Sequence, residues 1–523
     1  MLDAVVVGSG PNGLAAAVTL ARAGLSVTVL EANETVGGGA RTLAPGDDGD
    51  GDLVAGMPAG VVHDLCSAVH PMAWASPFFR AFDLRAHGVE LLTPEVSYAQ
   101  PLPGRRAAVA YRDLERTAER LGPDGAAWRS LLGPLAARWE AVVAVALGDH
   151  RSVPPGVLDG ADPVRATLAA ARFGLGLAEQ GTAAWDARFS GEAAPALLTG
   201  VAAHTITRLP SLSGAGTSLL LGALAHAAPG LSGARPTGVR PASDGGFDGG
   251  WPVPRGGSGA IVAALVTDLE AHGGTVVTGH RVRSPADLPA ARAVLFDTTP
   301  RTLLDVLGPA VPPGLRRALG AFRHGNAAAK VDYVLSGPVP WAEPEVGRAG
   351  TVHVGGTRAE MVAAENEVAA GRHAERPVCL VSDPTVTDPS RRVGSGTGEL
   401  RPLWAYTHVP AGSDVDVTET VTAQIERFAP GFRDVVVASR AIPAAAMAEH
   451  NQNYVGGDIS AGAATMWQMV SRPTLRANPY RVAGGVYLCS ASTPPGPGVH
   501  GMGGWHAARR ALRDVFGVRA AAL

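Results

Sequence analysis

The first thirty residues show three successive patterns of hydrophobic and polar positions. Residues 3–7 (DAVVV) form a short apolar run, a glycine turn occupies 8–13, and the apolar positions of 14–21 recur at helical spacing. Gly24 ends the helical pattern, and 26–30 form a second apolar run. The pattern predicts a strand, a tight turn, a helix and a second strand, in the order of a β-α-β unit.

The glycine turn has the G-x-G-x-x-G spacing of a dinucleotide-binding unit. Gly8 allows the tight turn, Gly10 allows backbone amides to approach a diphosphate, and Gly13 allows the helix to pack against the strand. Glu31 follows Gly13 by 18 residues, at the end of the second strand, where it can accept hydrogen bonds from an adenosine ribose. The residues between these positions complete the predicted nucleotide-binding turn: Ser9, Pro11, Asn12 and Ala32.

Two later regions carry patterns that belong with this unit. A turn at 254–259 precedes a helical pattern whose apolar face contains Ile261, Val262, Leu265 and Leu269, and short strands are predicted at 275–277, at Val282 and at 293–296. Near the end of the chain, a strand leads into a glycine- and proline-rich loop, and 507–515 are helical in pattern. One domain is therefore expected to be assembled from separate pieces of the chain.

The intervening segments have a different character. Alanine- and leucine-rich stretches at 107–120, 128–147 and 166–177 have helical spacing, with proline and glycine breaks between them. Strands are predicted at 328–335, 379–382 and 403–408. These patterns predict a helical lid and a sheet that forms the floor of a pocket, and the amphipathic lid leaves a peripheral membrane contact open.

Charge and cysteine content narrow the functional classes. The chain has 44 Lys+Arg and 47 Asp+Glu, a net charge of −3, so nothing in the balance favours nucleic acid binding. The three cysteines are widely spaced, which fits a reduced, cytoplasmic compartment. The sequence shows no secretory pattern at its start and no apolar run of roughly 18 residues that would span a membrane.

The segment from Glu31 to Arg41, with glycines at 37–39, resembles the FAD-dependent oxidoreductases of the phytoene desaturase and flavin amine oxidase superfamily. The resemblance implies that Gly38, Gly39, Ala40 and Arg41 meet the flavin diphosphate. A second glycine-rich backbone turn and one guanidinium would also supply suitable donors on physical grounds alone. The region of His63 is similar to the part of these proteins that lies against the flavin.

Further expectations come from the same resemblance. The position of Val282 is expected to contact adenine through its backbone, and Thr298 lies in the segment that closes the first lobe. The closing loop and helix correspond to the last flavin motif, which includes Ser492, Gly501 and Met502. The N-terminus of that helix is expected to face the flavin ring, where its partial positive charge would stabilise the reduced form.

The expected fold class is α/β, with a Rossmann-type FAD-binding domain and an α+β substrate domain that has a mixed sheet and a helical lid. The FAD-binding domain is predicted to comprise 1–75, 235–305 and 480–523. The substrate domain is predicted to comprise 76–234, which is mostly lid, and 306–479.

Lys330 is the candidate catalytic residue. It is the one lysine among 44 Lys+Arg residues, in a chain that otherwise uses arginine. An ammonium is compact and more easily desolvated than a guanidinium, which suits a reactive position. In the resembling enzymes, a lysine on a similar strand holds a water beside flavin N5. The predicted wall of the substrate pocket contains His204, Tyr454, Trp467 and His500.

Several other patterns fail on closer inspection. Asp47, Asp48, Asp50 and Asp52 suggest a calcium loop but lack its glycine and its closing glutamate. The second G-x-G-x-x-G, at 496–501, is followed by no strand and acidic residue, so a second nucleotide site is not expected. No metal site is predicted.

The predicted function is transfer of a hydride from a small organic substrate to flavin N5 of FAD, with reoxidation by oxygen, a quinone or another acceptor. The stretch 451–459 and the loop near residue 500 resemble the pyridine nucleotide-disulphide oxidoreductase domain 2-like branch of phytoene desaturase relatives. Three alternatives remain: a flavin amine oxidase, an isomerase assisted by reduced flavin, and a binding protein without flavin. Substrate identity and oligomeric state stay open.

Overall fold

The computed structural model describes residues 1–45, 54–151, 163–227, 249–394 and 398–518. Two segments discussed above lie outside these ranges: the acidic loop at 47–52, which lacks the full calcium-binding pattern, and the first part of the predicted segment 235–305. In the described residues the strands are, in chain order, β1 (Leu2–Val7), β2 (Val27–Leu30), β3 (Thr42–Leu43), β4 (His63–Asp64), β5 (Leu91–Leu92), β6 (Val96–Leu102), β7 (Arg106–Tyr111), β8 (Val253–Pro254), β9 (Thr275–Val277), β10 (Ala291–Phe296), β11 (Ala327–Leu335), β12 (Ala349–Val354), β13 (Cys379–Ser382), β14 (Arg401–Val409), β15 (Val436–Ile442), β16 (Arg481–Ala483) and β17 (Val486–Leu488).

The helices of the same ranges are α1 (Pro11–Arg22), α2 (Pro71–Ala75), α3 (Pro77–Phe82), α4 (Leu114–Arg120), α5 (Gly125–Ala136), α6 (Trp139–Leu147), α7 (Pro163–Gln180), α8 (Ala193–Ala202), α9 (Leu212–Ala225), α10 (Gly259–Ala271), α11 (Pro300–Leu307), α12 (Pro313–Gly320), α13 (Arg358–Ala369), α14 (Thr418–Glu426), α15 (Phe432–Val435), α16 (Met447–His450), α17 (Met466–Ser471) and α18 (Met502–Ala511).

A six-stranded sheet is built from distant parts of the chain, in the order β16-β17-β10-β1-β2-β9. Strand β1 lies inside the sheet and pairs in parallel with β2 and β10. The two faces are covered by different helices, because successive side chains of a strand point to opposite sides. Ala4 and Val6 pack in the same core as helices α1, α10 and α18, whereas Val5 and Val7 pack with α11 and α12. The prediction of an α/β fold is confirmed.

A seven-stranded mixed sheet forms the second part of the molecule, in the order β15-β11-β14-β13-β12-β6-β7. Its strands pair antiparallel except for β12 and β6, which are parallel. Strands β11, β13 and β14 lie at the positions predicted from the sequence. One face of β11, which carries Val331, Tyr333 and Leu335, packs with α14 and α15 in a core that is separate from those of the six-stranded sheet.

Two local predictions are wrong. Residues 107–120 were expected to form one helix, but the first part is strand β7 and only α4 is helical. Strand β7 forms a hairpin with β6, so pairing with a neighbouring strand overrides the helical preference of its alanines. Val282 is buried but lies outside any strand of the described chain.

Helices α5 to α9 form the helical region that was predicted as a lid, with Trp128, Leu197 and Leu219 in its core. Among the described residues, no single helix is long and apolar enough to cross a membrane. Helices over Gly122–Ala136 and Trp139–Leu147 meet that requirement only together, and they are bent by 71°.

Candidate active site

A cavity of about 880 Å³ connects the glycine turn after β1 with the helical region and the seven-stranded sheet. One end is lined by the turn at Gly8–Asn12, by Glu31 and by the second glycine turn. The other end is lined by residues of α7, α9, β13 and β14. A single space therefore joins a backbone-rich region to a largely side-chain-lined region.

The glycine turn needs glycine at particular positions because its backbone is closely packed. Gly8 has a φ of +100°, and a Cβ at Gly13 would lie 2.2 Å from the Gly8 carbonyl oxygen. Helix α1 begins at Pro11, which has no N–H, and it has no side-chain cap. The Gly13 N–H donates to Asp297 Oδ2 at 2.9 Å and the Leu14 N–H donates to the Gly10 carbonyl at 2.9 Å, so the Asn12 amide is the N–H of the first helical turn that is available to an anion. We call this turn the diphosphate cradle, after its predicted role.

Glu31 lies where the sequence predicts, at the end of β2 on the cavity wall. Its Oε2 accepts hydrogen bonds from the Ser9 amide at 2.9 Å and from the Ser9 hydroxyl at 2.6 Å. Its Oε1 accepts from the Asn33 amide at 2.9 Å. The carboxylate thus fixes the glycine turn and keeps lone pairs for ribose hydroxyls.

The second glycine turn also faces the cavity, but Arg41 does not. Gly38, Gly39 and Ala40 line the cavity wall. The Arg41 guanidinium is almost fully buried, and it donates to the Gly38 carbonyl at 3.0 Å and to the His450 carbonyl at 2.6 Å. Arg41 is not among the residues that line the cavity, and its buried guanidinium finds acceptors in the backbone behind the turn, so its contact with a diphosphate stays a prediction.

The predicted cofactor-binding residues fall into two groups. Those that line the cavity are Gly8, Ser9, Gly10, Pro11, Asn12, Glu31, Ala32, Gly38, Gly39, Ala40, Val282 and Thr298. Those that are not among its lining are Gly13, Arg41, His63, Ser492, Gly501 and Met502. In the second group, Gly13 and Arg41 directly follow lining residues of the two glycine turns, whereas His63, Ser492, Gly501 and Met502 come from other parts of the chain.

The expectation that the start of α18 faces the flavin ring stays a prediction, and two amides at that start already have protein partners. The Gly503 amide donates to the Asn12 side chain at 3.1 Å, and the Met502 amide donates to His500 Nδ1 at 3.0 Å. The first bond holds α18 against α1, and the second ties the start of α18 to the loop that precedes it. The preceding loop takes their place on the cavity wall through Pro494, Pro495, Pro497, Gly498 and Val499.

Two of the four predicted pocket residues line the cavity and two do not. His204 and Tyr454 are on its wall. Trp467 is 69% exposed on the outer side of α17, whereas its neighbours Met466 and Met469 face the cavity. His500 is fully buried, and its ring nitrogens contact the Met502 amide and the Gly496 carbonyl. The helical phase of a six-residue helix decides which side chain faces inward.

Lys330 lies on β11, buried below the cavity wall rather than on it. Its ammonium forms an ion pair with Asp332, two residues further along the same face of the strand. Burial alone would raise the pKa of Asp332, but the neighbouring Lys330 and His63 hold it below its usual value. His63 Nδ1 lies 3.5 Å from Asp332 Oδ1. The cavity-lining Cys66 lies close enough for Lys330 to act on the pKa of its thiol.

The sequence did not reveal a pair of aromatic residues on the cavity wall. Trp404 and Tyr406 alternate on β14 and line the cavity, with ring centroids 5.1 Å apart at 81°. Burial raises the pKa of the Tyr406 phenol far above its usual value. The period-two spacing of these aromatics in a correctly predicted strand was the signal available in the sequence.

Asp297 was also missed as a charged group of the site. It lines the cavity at the end of β10, and its carboxylate lies against the glycine turn: a Cβ at Gly10 would be 2.6 Å from its Oδ2. Burial raises the pKa of Asp297 to about 7, despite the hydrogen bond from the Gly13 amide, and Glu31 adds to the shift. An acid that titrates near neutral pH therefore lies beside the diphosphate cradle.

A mostly parallel sheet with this glycine turn, and with an acidic residue after its second strand, is the arrangement of a dinucleotide-binding fold. The model of a family described as flavin containing amine oxidoreductase matches residues 12–299, more than half of the chain. The protein belongs to that family.

Relatives extend over nearly the whole chain. An uncharacterised protein of Mycobacterium tuberculosis is 26% identical, with 98% of this chain and 97% of the relative covered. Pyridine nucleotide-disulfide oxidoreductase domain-containing protein 2 of Rattus norvegicus is 23% identical, covering 98% and 94%. The solved structure of cyclohexylamine oxidase from Brevibacterium oxydans has a TM-score of 0.53 at 16% identity, with 98% of each chain covered, which shows a shared fold. The resemblance inferred from the sequence is confirmed.

Proposed function

We propose that the protein binds FAD and oxidises a small, largely apolar molecule by hydride transfer to the flavin. The observation that carries this proposal is the single cavity, which joins a diphosphate cradle to a pocket lined by Phe173, Leu177, Leu220 and Leu221. An elongated nucleotide and an apolar substrate would meet end to end in that space. Membership of the flavin containing amine oxidoreductase family supports flavin as the cofactor. The apolar lining of the cavity supports a largely apolar substrate.

The residues present fit FAD. The Asn12 amide at the start of α1 would donate to the diphosphate, Glu31 would accept from a ribose, and the Gly38–Ala40 turn would cover the second phosphate. The flavin, when bound, supplies the hydride acceptor. The chain itself contributes position and dryness, because the apolar residues of α7 and α9 exclude water from the reacting end. We propose 1–75, 235–305 and 480–523 as the domain that binds it.

The role of Lys330 is part of the proposal. Its ammonium and the Asp332 carboxylate form an ion pair that is buried beneath the cavity wall, near Cys66. From there the ammonium can hold a water or a polar group at the reacting end through its remaining N–H donors. We propose Lys330 as a positioning residue because it does not line the cavity itself.

An amine substrate is the second candidate, and one observation favours it. Trp404 and Tyr406 place two ring systems on the cavity wall, and such rings pack well against an uncharged alkylamine. Two other candidate functions are distinguished by the experiment below: an isomerase, which would show no net redox turnover, and a binding protein without flavin.

An absorption spectrum of the purified protein, before and after incubation with FAD, is the first experiment. Flavin bands that stay with the protein through gel filtration are expected. Anaerobic bleaching by a panel of amines, alcohols and polyenes then identifies the substrate class, and readmission of oxygen or a quinone identifies the acceptor. A protein that stays colourless and does not take up FAD would refute the proposal and leave a binding role. Bleaching without net product would favour the isomerase.

Peripheral membrane contact remains a proposal, supported by exposed apolar side chains beside the cavity. Trp467, Val470 and Leu475 are 69%, 52% and 65% exposed, and Leu175 of α7 is 72% exposed. A bilayer is the occupant we propose, because Trp at an apolar edge is typical of membrane interfaces. Trp467→Ser is expected to reduce co-sedimentation with anionic liposomes. Val437→Ser, on the remote strand β15, is the control and should leave it unchanged. Equal binding by both variants, or none by the parent protein, would refute the contact.

A further inference from the structure

Two histidines from distant parts of the chain meet at the substrate end of the cavity. His204 follows α8 in a short turn and lines the cavity, and His353 lies on β12, fully buried behind it. Their Nε2 atoms are 2.9 Å apart. Both rings lie edge-on to Trp251, with centroid distances of 6.1 Å and 6.0 Å, and Trp251 also lines the cavity. The packing fixes both imidazoles in place.

Both imidazoles are uncharged at neutral pH. Burial lowers the pKa of His204 to about 3, and His408 nearby contributes to the shift. Burial, together with His204 and His408, lowers the pKa of His353 well below its usual value. Two further ionisable groups lie nearby: Tyr98, whose ring centroid is 5.7 Å from that of His353, and Glu365, whose carboxylate contacts His408 Nδ1. Burying a positive charge in this cluster would be costly, so the pair stays neutral.

A contact between two neutral imidazole nitrogens fixes the position of one proton, because one nitrogen must donate and the other accept. No protein group in the described chain forms a hydrogen bond with His353 Nδ1, which is buried. A proton on that nitrogen would be an unpaired buried donor, the least favourable arrangement. The proton of His353 therefore belongs on Nε2, which donates to His204 Nε2. His204 must then carry its own proton on Nδ1.

The surroundings of His204 define what its Nδ1–H can bind. Neighbouring positions on the wall are taken by Leu221, Thr351 and Leu380. Among the described lining residues, the single Lys or Arg is Arg151, which lies in the loop after α6. No cation is therefore placed in this part of the wall to balance a carboxylate, and the apolar neighbours disfavour any charged group.

We propose that His204 donates a hydrogen bond to an uncharged oxygen of the substrate, a carbonyl or hydroxyl oxygen, and that His353 acts as the positioning residue that fixes the donor tautomer. This inference rests on the proposed function for the meaning of "substrate", but the hydrogen bond itself requires neither flavin nor turnover. A binding measurement on the protein without FAD therefore separates the two proposals.

The test is NMR of protein labelled with ¹⁵N-histidine, with acetophenone as the probe and ethylbenzene as its oxygen-free counterpart. His204→Phe and His353→Phe assign the two ring signals. We expect both rings to stay neutral from about pH 5.5 to about pH 8, with the His204 proton on Nδ1. Acetophenone should shift the His204 Nδ1 signal, whereas ethylbenzene should leave it in place.

Affinity supplies a second readout. One hydrogen bond is expected to make acetophenone bind about three- to ten-fold more tightly than ethylbenzene. His204→Phe should abolish this preference, and His204→Asn, whose amide nitrogen can replace Nδ1, should retain part of it. His353→Phe should weaken the preference and allow the His204 tautomer to change. Equal affinities in the parent protein, a charged His204 at pH 7, or no His204 shift with either probe at its solubility limit would overturn the proposal.

Discussion

Replacing Asp297 by Asn removes the one acid that titrates near neutral pH beside the diphosphate cradle. The carboxylate accepts the Gly13 amide through Oδ2, and an Asn carbonyl oxygen can accept the same bond. The charge disappears while the shape is kept. The stability of the protein should therefore lose one component of its pH dependence.

The magnitude follows from the shifted pKa. Burial raises the pKa of Asp297 from 3.8 to about 7. Each unit corresponds to about 1.36 kcal/mol, so the ionised form is disfavoured in the folded protein by about 4 kcal/mol. Since the folded pKa is the higher one, this contribution to stability is fully present below pH 3.8 and is lost as the pH rises through about 7. Between pH 5.5 and pH 8 the loss is about 2 kcal/mol.

Thermal unfolding of the protein without FAD measures this difference. For a chain of this length, about 2 kcal/mol corresponds to a change in melting temperature of about 2 °C. Asp297→Asn should therefore melt higher than the parent protein, and the gap should be about 2 °C wider at pH 8 than at pH 5.5. FAD should also bind the variant more tightly at pH 8, since one negative charge near the diphosphate is gone.

The matched control is Asp305→Asn, at an exposed position on α11. It should leave the pH dependence of melting unchanged. If the parent protein and Asp297→Asn lose stability in parallel between pH 5.5 and pH 8, Asp297 is already ionised without cost and the reasoning is wrong.

Two further substitutions test the cradle and the buried ion pair. Gly10→Ala places a Cβ 2.6 Å from Asp297 Oδ2 and should abolish FAD retention in gel filtration. The control is Gly174→Ala, in open space on α7, which should retain FAD and gain up to about 1 kcal/mol in stability. Normal FAD binding by Gly10→Ala would contradict the geometry. Lys330→Met leaves Asp332 buried without its ammonium partner and should lower the free energy of unfolding, measured by chemical denaturation, by about 3–5 kcal/mol. The double variant Lys330→Met/Asp332→Leu should recover most of this loss. A single variant as stable as the parent protein would show that the pair is not buried as described.

The nucleotide-binding turn was predictable because its chemistry is local. Gly8, Gly10 and Gly13 are within six residues of one another, and Glu31 follows at the end of the next strand, so strand, turn and helix patterns fix their relative positions. The alternation of Trp404 and Tyr406 was also present in a strand that the sequence predicted correctly. Local spacing is enough wherever one element carries the whole arrangement.

The rest of the site depends on which side chains from distant parts of the chain come into contact, and the spacing of residues along the sequence does not predict those contacts. The Arg41 guanidinium donates to the His450 carbonyl, 409 residues away, and does not line the cavity. Residues 107–111 have helical composition but become a strand because β6 offers hydrogen-bond partners.

The sequence by itself determined the class of fold and the glycine turn, since these follow from backbone conformations that particular residues permit. Its resemblance to a known family indicated a flavin-dependent oxidoreductase. Only the tertiary structure decided that Trp467 faces outward, that Lys330 is paired with Asp332, and that His204 meets His353. Burial and pairing of polar groups are properties of the packed core, and packing brings together residues whose separation along the chain carries no signal.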